Sequence, residues 1–274
     1  MLGVDMTDDE FAKVVRLSKT YAGLHLDQTK RPLVRSRLAR RLRSLGLSNY
    51  SNYCDLIQDS RHPEVSEFVT ALTTNVTHFF REAHHFTFLK EKVFPRLIAR
   101  AELGDRIRIW SAGCSTGQEP YSIAALLLSM KSTIGARDIR IIATDIDQKA
   151  LSIAQGGVYK RHDDADLSRL GFGSIFSGSP HGNDGMTVRD EVRKLVEFQY
   201  VNLVGSWSFN TSFDIIFCRN VVIYFDRQTQ ARLWCRFTDS LKESGLLFVG
   251  HSERVHGEAK SRLLNVGVTV YEKR

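Results

Sequence analysis

The stretch RIWSAGCSTGQEPYSIAALLL, residues 108–128, starts as an alternating apolar strand, breaks at small residues and runs on as an apolar helix. The hydrophobic period changes from two to about 3.6, and it does so through Gly113, Ser115, Thr116 and Gly117. A glycine turn at a strand end lets a ligand approach the backbone closely, and the helix start beyond it presents N–H groups without intrahelical partners. The dinucleotide pattern G-x-G-x-x-G is absent; the spacing is Gly113-x-x-x-Gly117, with Glu119 just beyond. A carboxylate there opposes a pyrophosphate and suits a ligand carrying an ammonium or sulfonium. Taken alone the turn is a weak signal, because glycines also serve strand-to-helix turns for steric reasons only.

Strand and helix patterns alternate from about residue 106 onward, which predicts an α/β unit around a mainly parallel sheet. Strands are expected at 106–112, 139–144, 196–202, 213–218, 245–250 and 264–272, with helices near 119–131, 147–155 and 227–242. Residues 1–75 read instead as a helical domain. Thr7 and Glu10 stand in capping-box spacing before Phe11, Val14, Val15 and Leu17, with a stop near Gly23; a second helix has Pro32 in its first turn and Gly46 past its end. SNYSNYCDLIQD and PEVSEFVTALTTN supply two more helices. Residues 76–104 are expected to be a helical linker, and 105–274 the ligand-binding domain. Within it, residues 156–195 are rich in Gly, Ser and Asp and interrupt the alternation. A structureless loop of that length is uncommon in a compact domain, so an inserted small antiparallel subdomain is expected, with a helix signal at Asp166–Leu170 and hairpin punctuation at NDG. With 274 residues, 42% of them hydrophobic, the chain can bury a proper core.

Two further segments converge on the edge where the glycine turn belongs. IRIIATDID delivers Asp145 at the C-terminal end of an apolar strand, one βαβ step after the turn, where such folds hold ribose hydroxyls. The alternative is a helix cap; two acids two residues apart serve both purposes, Asp147 as cap and Asp145 as ribose ligand. SFDIIFCRNVVIYFD ends a buried strand at Arg219 and Asn220 on the same carboxyl edge. Phe225 reads as a core aromatic, whereas the hydroxyl of Tyr224 needs a partner if buried.

The net charge of +7 favours an acidic partner without deciding its kind. Lys30, Arg31, Arg35, Arg37, Arg40, Arg41 and Arg43 form a block with no acid among them. A solvated face is the usual explanation of such a run, but like charges four apart on a helix repel, so partner binding is the preferred reading. His84 and His85 are neighbours that should point apart on a helix, one packed and one wet, without sharing a metal. His251 and Glu253 of GHSE follow a strand and reach either the site's rim or a structural hydrogen bond. Cys54, Cys114, Cys218 and Cys235 form no C-x-x-C pair and read as small buried hydrophobes, giving neither a disulfide framework nor a zinc site. No apolar run reaches the ~18 residues of a spanning helix, and the acidic start MLGVDMTDDEF is unlike a signal peptide. A cytoplasmic protein without direct membrane insertion is the expectation.

TTNVTHFFREAHHF, WSAGCSTGQEPYSIA, ATDID, YVNL, FDIIFCRNVVIYFD and GLLFVGHSE, in that order over residues 70–272, together resemble the bacterial chemotaxis receptor methyltransferases, the CheR-type family. The resemblance implies a Rossmann-like class I methyltransferase fold with a seven-stranded, mainly parallel sheet. It implies transfer of a methyl group from S-adenosylmethionine to glutamate side chains of chemoreceptors, giving a glutamyl methyl ester and S-adenosylhomocysteine, with no metal. Carried over by motif, it puts Asn75, Thr77 and Arg81 against the cofactor and reacting centre, Gly113 in the turn, Glu119 at the amino end of the methionine moiety and Asp145 on the ribose. Asn202 and Leu203 would flank the adenine, Arg219 and Asn220 complete the pocket, and Tyr224 lie near the methyl; Arg81 and Tyr224 are the catalytic candidates. The basic helix, with Arg35, Arg37, Arg40, Arg41 and Arg43, would meet the receptor's cytoplasmic domain and recruit the enzyme to membrane receptor arrays. In some members the inserted subdomain grips a peptide at the receptor's C-terminus; the tip SGSPHGNDGM carries no feature that decides this.

Other classes fit less well. A nicotinamide-dependent oxidoreductase would share the strand, turn and ribose acid, but Glu119 opposes its pyrophosphate. A nucleic-acid methyltransferase would use the positive charge, yet the Asn-Pro-Pro-Tyr type motif is missing and no proline precedes Cys218, so nucleic acid is not expected as a partner. A non-catalytic adaptor would have no need to keep Arg81, Glu119, Asp145, Asn220 and Tyr224 together.

Overall fold

The computed structural model describes residues 5–160, 175–178 and 185–274. The N-terminal part is four helices, α1 (Asp8–Ala22), α2 (Arg31–Leu45), α3 (Tyr50–Leu56) and α4 (Glu64–Leu72). Thr7 and Glu10 form the reciprocal capping box, and Gly23 closes α1 in the left-handed conformation at φ 68°. Phe11 and Val14 of α1, Val34, Leu38 and Leu42 of α2, Tyr53 of α3 and Phe68 of α4 make one buried cluster.

The basic block on α2 does have acidic partners; they come from distant parts of the chain. Arg41 pairs with Glu64 at 2.6 Å and Glu67 at 3.0 Å, and Arg35 with Asp5 at 2.6 Å. Arg37 donates to the carbonyls of Leu72 and Thr73, and Arg43 to the carbonyl of Ala39. Arg40 is exposed.

Residues 73–82 are not helical, so the expected linker helix begins only at α5 (Ala83–Phe88), which continues through a π-helical turn, Leu89–Val93, into α6 (Phe94–Glu102). Phe80 and Glu82 hold left-handed backbone, φ 52° and 58°, which no helix accommodates, and the Phe80 N–H is taken by the Ser122 hydroxyl at 2.9 Å.

The chain then lays down β1 (Ile107–Ala112), α7 (Gln118–Met130), β2 (Ile139–Asp145), α8 (Gln148–Gly156), three short strands β3 (Val158–Lys160), β4 (Phe176–Gly178) and β5 (Gly185–Val188), then β6 (Val196–Tyr200), β7 (Phe213–Cys218), α9 (Arg227–Ser240), β8 (Leu241–Val249), β9 (Leu263–Gly267) and β10 (Val270–Lys273). The large sheet runs β6-β2-β1-β7-β8-β10-β9. All neighbours are parallel except β10, which is antiparallel to both β8 and β9. The single strand expected at 264–272 is therefore a hairpin, turned at Val268 and left-handed Thr269; its apolar alternation runs on through the turn and hides it.

Period-two alternation assigns the faces. Ile109, Ile141, Ile215, Phe217 and Phe248 pack with Ile123 and Leu127 of α7 and Phe94 of α6, while Trp110, Ile142, Ile216 and Leu247 pack with Trp234 and Phe237 of α9. The inserted segment forms the antiparallel sheet β3-β5-β4; the helix signal at Asp166–Leu170 and most of NDG lie outside the described residues. Tyr159 of β3 donates from its hydroxyl to the Thr116 carbonyl at 2.6 Å. No helix among the described residues is long and apolar enough to cross a membrane.

Candidate functional site

The end of β1 is fixed by its neighbour: the N–H groups of Gly113 and Cys114 both donate to the Thr144 carbonyl on β2. Gly113 turns at φ 83°, and a Cβ there would stand 2.4 Å from Val221 Cγ2. The glycine is thus required both by its conformation and by the loop beyond β7. Past the turn, the Ser115 N–H donates to Asp145 Oδ2 at 2.7 Å, and the Asp147 N–H to Asp145 Oδ1 at 2.9 Å. Burial raises the pKa of Asp145, with those two hydrogen bonds opposing it.

Asp147 caps α8 by accepting from the N–H groups of Lys149 and Ala150, as its position predicts. It also accepts from the hydroxyls of Thr70 and Thr73 and from Asn75 Nδ2 at 2.7 Å, tying α4 and the segment after it to the sheet edge. Burial pushes its pKa up, but these bonds hold it below the usual carboxylate range.

Glu119, in the first turn of α7, is buried with both oxygens engaged: Oε1 accepts from the Ser111 hydroxyl at 2.6 Å and Oε2 from Arg219 Nε at 2.7 Å. Arg219 neutralises Glu119 from the end of β7, a pairing that the sequence reading did not include. The same guanidinium donates to the Arg81 carbonyl at 2.6 Å and to His85 Nδ1 at 3.1 Å. Because an arginine only donates, His85 carries its proton on Nε2, which faces Thr269 Oγ1 at 2.9 Å. Burial and Arg219 press the pKa of His85 down to about 3. His85 is packed and His84 wet, but their ring centroids are 4.2 Å apart rather than pointing away. Glu82, His84 and His85 bring potential ligand atoms within 4.8 Å of one another. The cation already beside them is Arg219, 3.7 Å from Glu82.

Above this network opens a concave cleft, the shape in which small-molecule sites are built. It gathers Asn75, Thr77 and Arg81 from the irregular segment before α5, and Gly113 and Glu119 from the glycine turn. Asp145, Asn202, Leu203, Arg219, Asn220 and Tyr224 line the rest. Arg81 Nη1 donates to the Val76 carbonyl at 2.8 Å, and Tyr224 is exposed at the rim. Sequence reasoning missed the contribution of the helical part. Ala22, Leu24, Leu72 and Thr73 line the same cleft, held there by a bridge between Leu24 and Phe225. The His25 N–H donates to the Tyr224 carbonyl at 2.8 Å, and Asn202 Nδ2 to the Tyr21 carbonyl at 2.8 Å. No local pattern signals such contacts; only the apolar residues beside Gly23 hinted that this turn packs on something.

A parallel sheet in this strand order, closed by an antiparallel hairpin strand and bearing an acid at the second strand's carboxyl end, is the fold of class I S-adenosylmethionine-dependent methyltransferases. Residues 75–271 match the family model for the CheR methyltransferase SAM binding domain, and residues 9–73 that for the CheR methyltransferase all-alpha domain. A probable chemotaxis protein methyltransferase of Rhizobium etli is 46% identical over 252 residues, 91% of this chain and 94% of that protein. The chemotaxis protein methyltransferase of Escherichia coli is 39% identical over 269 residues, 97% of this chain and 91% of that one. Chemotaxis protein methyltransferase 2 of Pseudomonas aeruginosa is 41% identical over 275 residues, 97% and 93% respectively. The chain belongs to the CheR methyltransferase family.

The residues present fit the cofactor this family's domain binds. Asp145 presents a buried carboxylate at the cleft, suited to ribose hydroxyls, and Gly113 leaves backbone as the wall. Leu203 and Val201 add apolar side chains to the cleft's lining.

Proposed function

We propose that the protein methylates glutamate side chains of bacterial chemoreceptors from S-adenosylmethionine, acting in the cytoplasm at receptor arrays. The observation that carries this reading is the convergence of Asp145, the Gly113 turn, Arg81 and Tyr224 on one cleft in a chain of this family. Bound S-adenosylmethionine supplies an electrophilic methyl on a sulfonium, which leaves as a neutral thioether.

The chain's own task is mainly placement. A glutamate carboxylate is ionised near neutral pH, since its ordinary pKa is about 4.3, so no strong base is needed. Alignment of reacting groups is worth roughly 7–11 kcal/mol, against the ~10²- to 10⁴-fold of a positioned base. Arg81, partly exposed at the cleft, is assigned to hold a carboxylate. Tyr224 shapes the rim and excludes water. Asp145 and Asn202 orient the nucleoside end, and Asn75 and Thr77 close the side nearest α4. Neither Arg81 nor Tyr224 moves a proton. The exposed Arg40 and Arg43 of α2 contribute the receptor-facing charge. Arg35, Arg37 and Arg41, also assigned to that contact, already have partners within the chain and would act by presenting the helix.

Incubation with methyl-labelled cofactor and receptor-containing membranes tests this reading. Label released as methanol in mild base is the expected outcome; label that stays bound in base means methylated nitrogen and a different enzyme.

A further inference from the structure

The loops beyond β7 and β8 are joined by a carboxylate that the reaction scheme does not use. Glu253 is 3% exposed. Its Oε2 accepts from the N–H groups of Gly250 at 2.5 Å and Asn220 at 2.9 Å, and its Oε1 from those of Val221 at 2.9 Å and Val222 at 3.0 Å. A turn whose successive N–H groups converge is a concavity for an anion, and here the anion belongs to the chain itself. The fit leaves no room to spare: a Cβ on Gly250 would stand 2.6 Å from Asn220 Nδ2 and 2.8 Å from both Asn220 N and Glu253 Oε2. Asn220 is left-handed, φ 59°, a conformation that persists in a non-glycine residue when its surroundings over-determine it. Val221, next in the same turn, supplies the methyl group that bounds Gly113, and Tyr224 follows at the rim.

We infer that Glu253 is a positioning residue for the cleft: it sets the 220–224 turn, and so aims Asn220 and Tyr224, without itself touching cofactor or substrate. The inference rests on the methyltransferase reading for what the turn is aimed at. Glutamine cannot replace it, because whichever way the amide lies, its NH₂ meets two N–H donors.

Amide hydrogen exchange on the full chain reads the turn without any ligand. In Glu253→Gln the amides of 220–222 and 250 should exchange at least ~10-fold faster, by local opening rather than global unfolding. Asp214→Asn is the comparison, since Asp214 is an equally buried carboxylate at the opposite end of β7, held by Arg100 and Lys242; it should leave those amides unaltered. S-adenosylhomocysteine affinity and kcat at saturating receptor should each fall about tenfold or more in Glu253→Gln, a loss of roughly 1.4 kcal/mol each, and stay at wild-type level in Asp214→Asn. Gly250→Ala, which presses the same turn from the other side, should reproduce the pattern if Glu253→Gln fails to fold. Unaltered exchange at 220–222, or faster exchange with undiminished affinity and kcat, overturns the inference. Equal losses in Asp214→Asn overturn it too, as a general stability effect. A wild-type protein that does not bind S-adenosylhomocysteine sinks the cofactor reading instead, while the exchange measurement still decides whether Glu253 holds the turn.

Discussion

Arg219 donates from Nε to Oε2 of Glu119 across 2.7 Å, joining the end of β7 to the first turn of α7 beneath the cleft. The pair is unequal. Arg219 also serves Glu82, His85 and the Arg81 carbonyl, whereas Glu119 has, among the described residues, only Ser111 besides. Arg219→Ala would leave buried Glu119 and half-buried Glu82 without their cation, and should cost about 3–5 kcal/mol in urea unfolding, the usual loss on breaking a buried pair. Glu119→Gln keeps an acceptor for Arg219 and should cost clearly less. Equal losses would mean that Arg219 is not the hub.

His85 gives a pH dependence with a definite sign. Its folded pKa is about 3, against an ordinary value near 6.5. Between those values the unfolded chain binds a proton that the native protein refuses. Its contribution is therefore complete above pH 6.5 and is lost as pH falls toward 3, by at most ~1.4 kcal/mol per pH unit. The groups facing it are Arg219, His84 and Glu82. Denaturant titrations at several pH values should show a shallower slope for His85→Gln than for wild type; parallel slopes would refute the assignment.

Arg81 and Tyr224 differ in what they should affect. With saturating receptor and cofactor, Arg81→Ala should lower kcat at least ~10-fold, and Tyr224→Phe should lower it less, because the ring that fills the rim remains. Unaltered turnover in either variant would remove that residue from the catalytic assignment.

Arg40 and Arg43 are exposed cations of α2. Reversing both to glutamate should weaken receptor binding and flatten its salt dependence, since exposed charges are screened over about 8 Å at physiological ionic strength. Thermal stability should hold. A wild-type binding constant that ignores salt would discard the electrostatic docking.

Much of the fold was legible because period-two strands and glycine punctuation are local properties. The strand at Ile139–Asp145, the capping box at Thr7 and the left-handed stop at Gly23 fall where the pattern puts them. Residues 73–82 were not legible: their apolar and polar spacing passes for a helix start, while their backbone is directed by Ser122 and Asp147, far away in sequence. The hairpin after Leu263 was hidden for a related reason, since Val266, Val268 and Val270 keep alternating through the turn. The site shows the same division. The residues of the cleft came from motifs, but the compensation of Glu119 by Arg219 and the acids that meet α2 are long-range pairings with no signature of their own.

The antiparallel bridge between Leu24 and Phe225 stitches the two family regions along a line that runs through the cleft. A severed fragment beginning at residue 75 would keep most of the motifs quoted above yet present its cleft roofless, open to solvent where Leu24 and Leu72 had stood. In this architecture the helical half is masonry of the chamber itself, since Ala22, Leu24 and Leu72 build part of its wall.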